Sequence, residues 1–211
     1  LRPQMSSSPL RIVFFGTPDF AAAGLEALAN SRHDVVGVVT APDRPAGRGQ
    51  QMKPSEVKVM AEGMGLPIAQ PEKLRATEFL SQLDDWRADL FVVVAFRMLP
   101  EIVWSRPSRG TVNIHGSLLP DFRGAAPIQH AVVSGAKRTG VTSFFITRDI
   151  DTGALLLQQS ILIGPNDTAG EVYVQLMKAG ANLAVDTADA LASEPLLGVP
   201  QSELLTGQER P

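Results

Sequence analysis

Four short runs rich in valine, isoleucine and phenylalanine, at residues 11–15, 34–40, 89–94 and 111–114, are separated by stretches with helical spacing. No other feature narrows the possible folds as far. Strand, helix and strand in alternation join parallel neighbours, and a parallel sheet has to be covered by helices on both faces. After Gly140 the pattern changes: residues 141–146 and 154–163 predict two strands with only a short loop between them, a hairpin rather than a crossover. The expected class is α/β, a mostly parallel twisted sheet with an antiparallel edge hairpin and helices on both faces.

The first helix is signalled by Thr17 as N-cap, Pro18 at the first helical position, and Phe20, Ala23, Gly24, Ala27 and Leu28 on one face, ending near Asn30. Residues 55–64 predict a helix stopped by Gly65, residues 67–69 a short strand, and Thr77 the cap of a helix running towards Asp84. Residues 41–54, with three prolines and two glycines, predict a long exposed loop of the kind that often carries function. The last helix opens with the capping box Thr168 and Glu171 and runs to about Leu191. No periodicity remains beyond Ser193, so residues 193–211 are expected to form a linker or tail after one domain over residues 5–192, Met5 being the expected start.

Composition excludes several classes of function. With 211 residues, 44% hydrophobic and 19% charged, the chain is ordinary globular protein and can bury a core without disulfides or a structural metal. It has no cysteine, which excludes a disulfide, a thiolate metal site and thiol catalysis and is compatible with a reducing cytoplasm. Its three histidines argue against a histidine-rich metal site. A net charge of -3 argues against a generally basic nucleic-acid binder, though not against a local basic patch. No apolar run reaches the ~20 residues of a membrane span, and a soluble protein is expected.

In doubly wound sheets ligands bind beyond the carboxyl ends of the strands. Gly16, Thr17, Pro18, Asp19 and Phe20, after the first strand, do not form the dinucleotide fingerprint, which argues against a nicotinamide or flavin site; a capped helix start is the plain alternative. Asn113 and His115 are two residues apart at the end of an extended run, so their side chains share one face. An amide donor and an imidazole aimed together suit a reaction in which a carbonyl oxygen gains negative charge, and the imidazole can also pass a proton near neutral pH. By itself the pair equally describes a strand end with an ordinary hydrogen-bonded histidine. Asp151, in an Asp-Thr-Gly turn at residues 151–153, could bring a carboxylate to the same crevice, or could simply cap the turn.

Taken together the motifs carry a resemblance. Asn113-x-His115-x-Ser117-Leu118-Leu119-Pro120, Arg123-Gly-Ala-Ala-Pro-Ile, Gly140-Val-Thr and Asp151-Thr-Gly resemble the folate-dependent formyltransferases, from about Leu10 to Leu191. Gly16-Thr-Pro-Asp-Phe and Pro42-Asp-Arg-Pro-Ala-Gly-Arg-Gly resemble the branch acting on methionyl-tRNA rather than the glycinamide ribonucleotide branch. The resemblance implies a Rossmann-like formyltransferase fold. It also implies transfer of a formyl group from 10-formyltetrahydrofolate to the α-amine of methionine on initiator tRNA, releasing tetrahydrofolate without a metal. Asn113 and His115 would hold the oxyanion, with Asp151 tuning His115 and assisting proton removal through water.

By the same resemblance the folate lies against Phe96, Arg97, Met98 and Leu99 and against Ser117, Leu118, Leu119 and Pro120. Residues 95–100 depart from the family's Tyr-Gly-Leu-Ile-Leu-Pro form and carry Arg97. Gly16, Thr17, Arg44, Arg48 and Arg123 are expected on the acceptor side, where residues 41–58 carry two more positive than negative charges. A cytoplasmic monomer without membrane contact is implied. The family continues into a barrel-like domain that residues 193–211 do not supply, which leaves productive tRNA binding open. Alternatives are a sugar-nucleotide N-formyltransferase, against which the loop after Arg44 counts, a folate hydrolase, or a folate-binding fragment without tRNA activity.

Overall fold

A computed structural model describes residues 8–46, 51–194 and 196–204. Strand β1 (Arg11–Gly16) shows how the sheet is covered: every residue after Arg11 is buried. Side chains alternate along a strand, so Ile12 and Phe14 enter one core while Val13 and Phe15 enter another on the opposite face. The first core is closed by α1 (Asp19–Ala29), with Leu25 and Leu28, and later in the chain by a long helix. β2 (Asp34–Val39) pairs parallel with β1.

Residues 41–54, expected as a loop, contain a short antiparallel hairpin, β3 (Arg44–Ala46) with β4 (Gln51–Lys53). Prolines and glycines conceal it from a sequence reading, because a three-residue ladder needs no periodic apolar face. Helix α2 (Glu56–Gly63) and strand β5 (Ile68–Ala69) follow. Helix α3 (Thr77–Trp86) places Phe79 and Leu83 in the second core, and β6 (Leu90–Val94) is buried throughout. Two short helices, α4 (Glu101–Trp104) and α5 (Pro127–Val133), flank β7 (Thr111–His115); neither was predicted. Strands β8 (Arg138–Phe145) and β9 (Leu155–Leu162) form the expected antiparallel edge hairpin, and α6 (Ala169–Ser193) carries the expected capping box.

The seven-stranded sheet has the order β5-β2-β1-β6-β7-β8-β9, parallel except where β8 meets its two neighbours. Chain order reverses between β1 and β6, which opens a crevice at the carboxyl ends of the central strands. Two expected caps lie one residue from the observed ones. Pro18, not Thr17, is the N-cap of α1, where Asp19 Oδ1 accepts from the Phe20 N–H. Ala76, not Thr77, is the N-cap of α3, and neither cap uses a side chain. Among the described residues no helix is long and apolar enough to cross a membrane.

Candidate active site

The end of β7 supplies two candidate side chains, because an extended backbone aims Asn113 and His115 the same way. β6 pairs with β7 at Val93 and Asn113, and β8 pairs with it at His115 and Thr142, so the strand end is held from both sides. His115 is 7% exposed, and its Nε2 lies 2.9 Å from the Phe122 carbonyl oxygen. A carbonyl only accepts, so Nε2 carries the hydrogen and the neutral ring has its lone pair on Nδ1. Nδ1 faces Asp151 Oδ2 at 3.6 Å. The gap is longer than a hydrogen bond, so ring and carboxylate face each other without direct contact.

Asp151 sits in the loop between β8 and β9, and its Oδ2 accepts from the Gly124 N–H at 2.8 Å. Gly153 explains how this loop lies so close to the sheet. A Cβ at that position would stand 1.7 Å from the Phe145 carbonyl oxygen, so only glycine permits the approach. Gly140 has a similar role under the preceding segment, where a Cβ would meet the Gln159 carbonyl oxygen at 2.2 Å and Leu118 at 2.5 Å.

Asn113, His115 and Asp151 line one cavity of about 560 Å³. No described residue hydrogen-bonds the Asn113 side chain, whose amide is therefore available to a group in the cavity. Phe96, Arg97, Met98 and Leu99 form part of the wall, along backbone that belongs to no helix or strand. Left-handed backbone is concentrated here: Ala95, Ala126 and Asp151 on the wall and Phe122 behind His115 have φ of 46°, 54°, 53° and 56°. Such conformations cost non-glycine residues of order 1–3 kcal/mol each and cluster at functional sites.

Other expected site residues stand away from the cavity wall. Ser117 is fully buried and donates to the Asp121 carbonyl, Leu119 is buried in a small core with Phe144 and Leu155, Leu118 lies against Gly140, and neither these residues nor Pro120 line the cavity. Gly16 and Thr17 lie just before the wall, which starts at Pro18. Arg123 turns its guanidinium to the side-chain oxygen of Gln201, at 2.6 Å. Arg44 is exposed on β3, and its positive charge adds to burial in lowering the proton affinity of Arg97. Arg97 stacks over Phe96 and donates to the carbonyls of Pro71 and Glu72. Arg48 lies outside the described residues.

Tyr173 on α6 also lines the cavity and was not singled out in the sequence. Its hydroxyl donates to Asp19 Oδ1 at 2.5 Å and its ring meets Phe20 edge-on, which ties α6 to the start of α1. Burial and the Asp19 carboxylate push its pKa up to about 12, so it stays a neutral donor. The available signal was a lone tyrosine in a helix of small and aliphatic residues. Among the described residues no group of three or more His, Cys, Asp or Glu is placed to hold a metal ion.

Comparison with known proteins follows the same lines. The family described as formyl transferase matches residues 10–188. The methionyl-tRNA formyltransferase of Bacteroides fragilis is 48% identical over 208 residues, covering 98% of this chain and 64% of its own length. That of Parabacteroides distasonis is 50% identical over 200 residues, covering 94% and 62%. The chain thus spans somewhat under two thirds of these curated relatives. Glycinamide ribonucleotide transformylase 1 from Symbiobacterium toebii superposes with a TM-score of 0.73 at 18% identity over 88% of each chain. A formyltetrahydrofolate deformylase from Pseudomonas syringae gives 0.69 at 19% identity, over 87% of this chain and 61% of its own. At these identities the likeness is one of fold.

Proposed function

We propose, from the premise that this chain belongs to the formyl transferase family, that it transfers the formyl group of 10-formyltetrahydrofolate to the α-amine of methionyl initiator tRNA. One observation carries the chemistry: the unpartnered amide of Asn113 and the His115–Asp151 pair meet in a single cavity. The choice of acceptor is supported by the printed names of relatives near half identity over almost the whole chain.

In this reading Asn113 donates to the formyl oxygen as the amine attacks, where a fixed donor is stronger than water because it does not reorganise. The amine must lose a proton while the new C–N bond forms. His115 Nδ1 and Asp151 take it, directly or through one water, and return it to the folate nitrogen as the old C–N bond breaks. Phe122 keeps the imidazole in the tautomer that leaves Nδ1 open to this exchange. The donor is assigned to this cavity, where Phe96, Met98 and Ile128 offer apolar surface for aromatic rings and the irregular backbone of residues 95–99 would take the pterin edge. Arg44 and Arg48 are assigned to acceptor phosphates, with the β3–β4 hairpin anchored at its base. There Asp43 accepts from Lys58 and Gln70 at 2.5 and 2.7 Å, contacts that hold its carboxyl below the usual range.

The test is formyl transfer by the 211-residue chain to methionyl-tRNA, with uncharged tRNA and buffer as controls. Formylmethionyl-tRNA is the expected product. Tetrahydrofolate release without product on tRNA would leave the catalytic reading standing and remove the acceptor. No turnover of 10-formyltetrahydrofolate under any condition would overturn both.

A further inference from the structure

We infer that Gln201, in the segment after α6, is a positioning residue that holds Asp151 in register with His115. The inference rests on the reading of His115 and Asp151 as the proton-transfer pair. Beyond α6 the chain returns to the sheet, where Val199 and Leu155 exchange two backbone hydrogen bonds of 2.8 Å. That contact sets Gln201, at the head of a single 3-10 turn (Gln201–Glu203), behind the loop carrying Asp151.

Gln201 is 3% exposed, and four contacts use the whole capacity of its amide. Its Nε2 donates to the carbonyl oxygens of Asp151 and Gly153, at 2.8 and 2.9 Å. Its Oε1 accepts from Arg123 Nε and Nη2, at 3.0 and 2.6 Å. Carbonyls only accept and a guanidinium only donates, so the amide has one possible orientation. Arg123 is followed by Gly124, whose N–H reaches Asp151 Oδ2, and preceded by Phe122, whose carbonyl accepts from His115.

A closed circuit results, from Asp151 to Gln201 to Arg123 and back through Gly124 to the Asp151 carboxylate. It locks the segment holding His115 against the turn presenting Asp151, and so sets the 3.6 Å between Nδ1 and Oδ2. Asp151 needs this hold. Its φ of 53° is a conformation that a non-glycine residue keeps where the surroundings impose it. Gln201 does not line the cavity, so its effect runs through Asp151 rather than through contact with reacting atoms.

The experiment measures tetrahydrofolate released from 10-formyltetrahydrofolate in the presence of methionyl-tRNA, by the whole chain. It compares Gln201→Ala, Gln201→Glu, Asp151→Asn and the double variant Gln201→Ala with Asp151→Asn. Both Gln201 variants are expected to lower kcat about 10-fold or more with KM for either substrate within about twofold, since small misplacement of a reacting group is costly. Gln201→Glu keeps the volume and the Arg123 contact but loses both N–H donors, and it carries the comparison alone if Gln201→Ala does not fold. On the Asp151→Asn background the Gln201→Ala loss should shrink to less than about twofold, because a positioning residue acts through what it positions. Wild-type kcat in Gln201→Glu, or an equal Gln201→Ala loss with and without Asp151, overturns the inference. Wild-type turnover in Asp151→Asn alone would instead overturn the site reading, and the inference with it.

Discussion

Single residues divide into those that touch the cavity and those that make it possible. Asn113, His115 and Asp151 belong to the first kind, and replacing any one by alanine is expected to lower turnover by ~10² or more, the usual cost of losing an oxyanion donor or proton-transfer group. Near-normal rates in all three variants, with circular dichroism unchanged, would remove the assignment. Gly153 belongs to the second kind. A methyl group there meets a backbone oxygen rather than a yielding side chain, so Gly153→Ala is expected to destabilise by about 3 kcal/mol or more, as measured by denaturant unfolding. The motif residues were legible because their spacing and resemblance coincide. Gln201 was not, since one glutamine in an aperiodic stretch has no signal until a partner arrives from 50 residues away.

Helix ends test how far local chemistry decides an element. Ser55 caps α2: its Oγ accepts from the Lys58 N–H at 3.1 Å and lies 2.7 Å from the Thr40 hydroxyl. Ser55→Ala should therefore cost about 1 kcal/mol in thermal unfolding. Thr77→Ala should change stability by less than about 0.5 kcal/mol, because the cap of α3 is Ala76 and no side chain serves it. An equal loss in both variants would contradict these assignments. At α6 the capping box is reciprocal, and the Thr168 N–H and hydroxyl hold the Glu171 carboxyl below its usual range. Spacing alone located this box, whereas the helix predicted over residues 55–64 took in Ser55 as its first residue rather than as its cap. Spacing also missed by one residue at Thr17 and Thr77, where the helix begins without a capping side chain and nothing in the local pattern marks the boundary. The β3–β4 hairpin and the short helices α4 and α5 escaped for a related reason, being too brief to show a period.

Across the whole molecule, His33 ties three elements together. Its side chain is fully buried, Nδ1 accepts from the Leu10 N–H at 3.1 Å ahead of β1, and Nε2 lies 3.2 Å from Asp189 of α6 without hydrogen-bond alignment. Burial pushes its pKa below the ordinary 6.5, Arg32 acts in the same direction, and Asp189 opposes them. Below about pH 6.5 the unfolded chain therefore binds the proton that the folded chain resists. The stability contributed here is whole above that pH and is lost as the pH falls through the lowered folded value. Tm should fall between about pH 7.5 and pH 5, and fall less in His33→Gln; equal slopes would show that another group governs the transition.

The alternation of apolar runs with helical spacing determined the two-sided parallel sheet, its edge hairpin and the common face of Asn113 and His115, because these depend on neighbours along the chain. The meeting of Asp151 with Gly124, 27 residues away, and of Gln201 with Arg123, 78 residues away, was decided only by the tertiary structure. Such bonds depend on where β8 and β9 pair and on how the segment after α6 docks. Both are settled by burial and hydrogen bonding across the whole fold, to which a local stretch of sequence is blind.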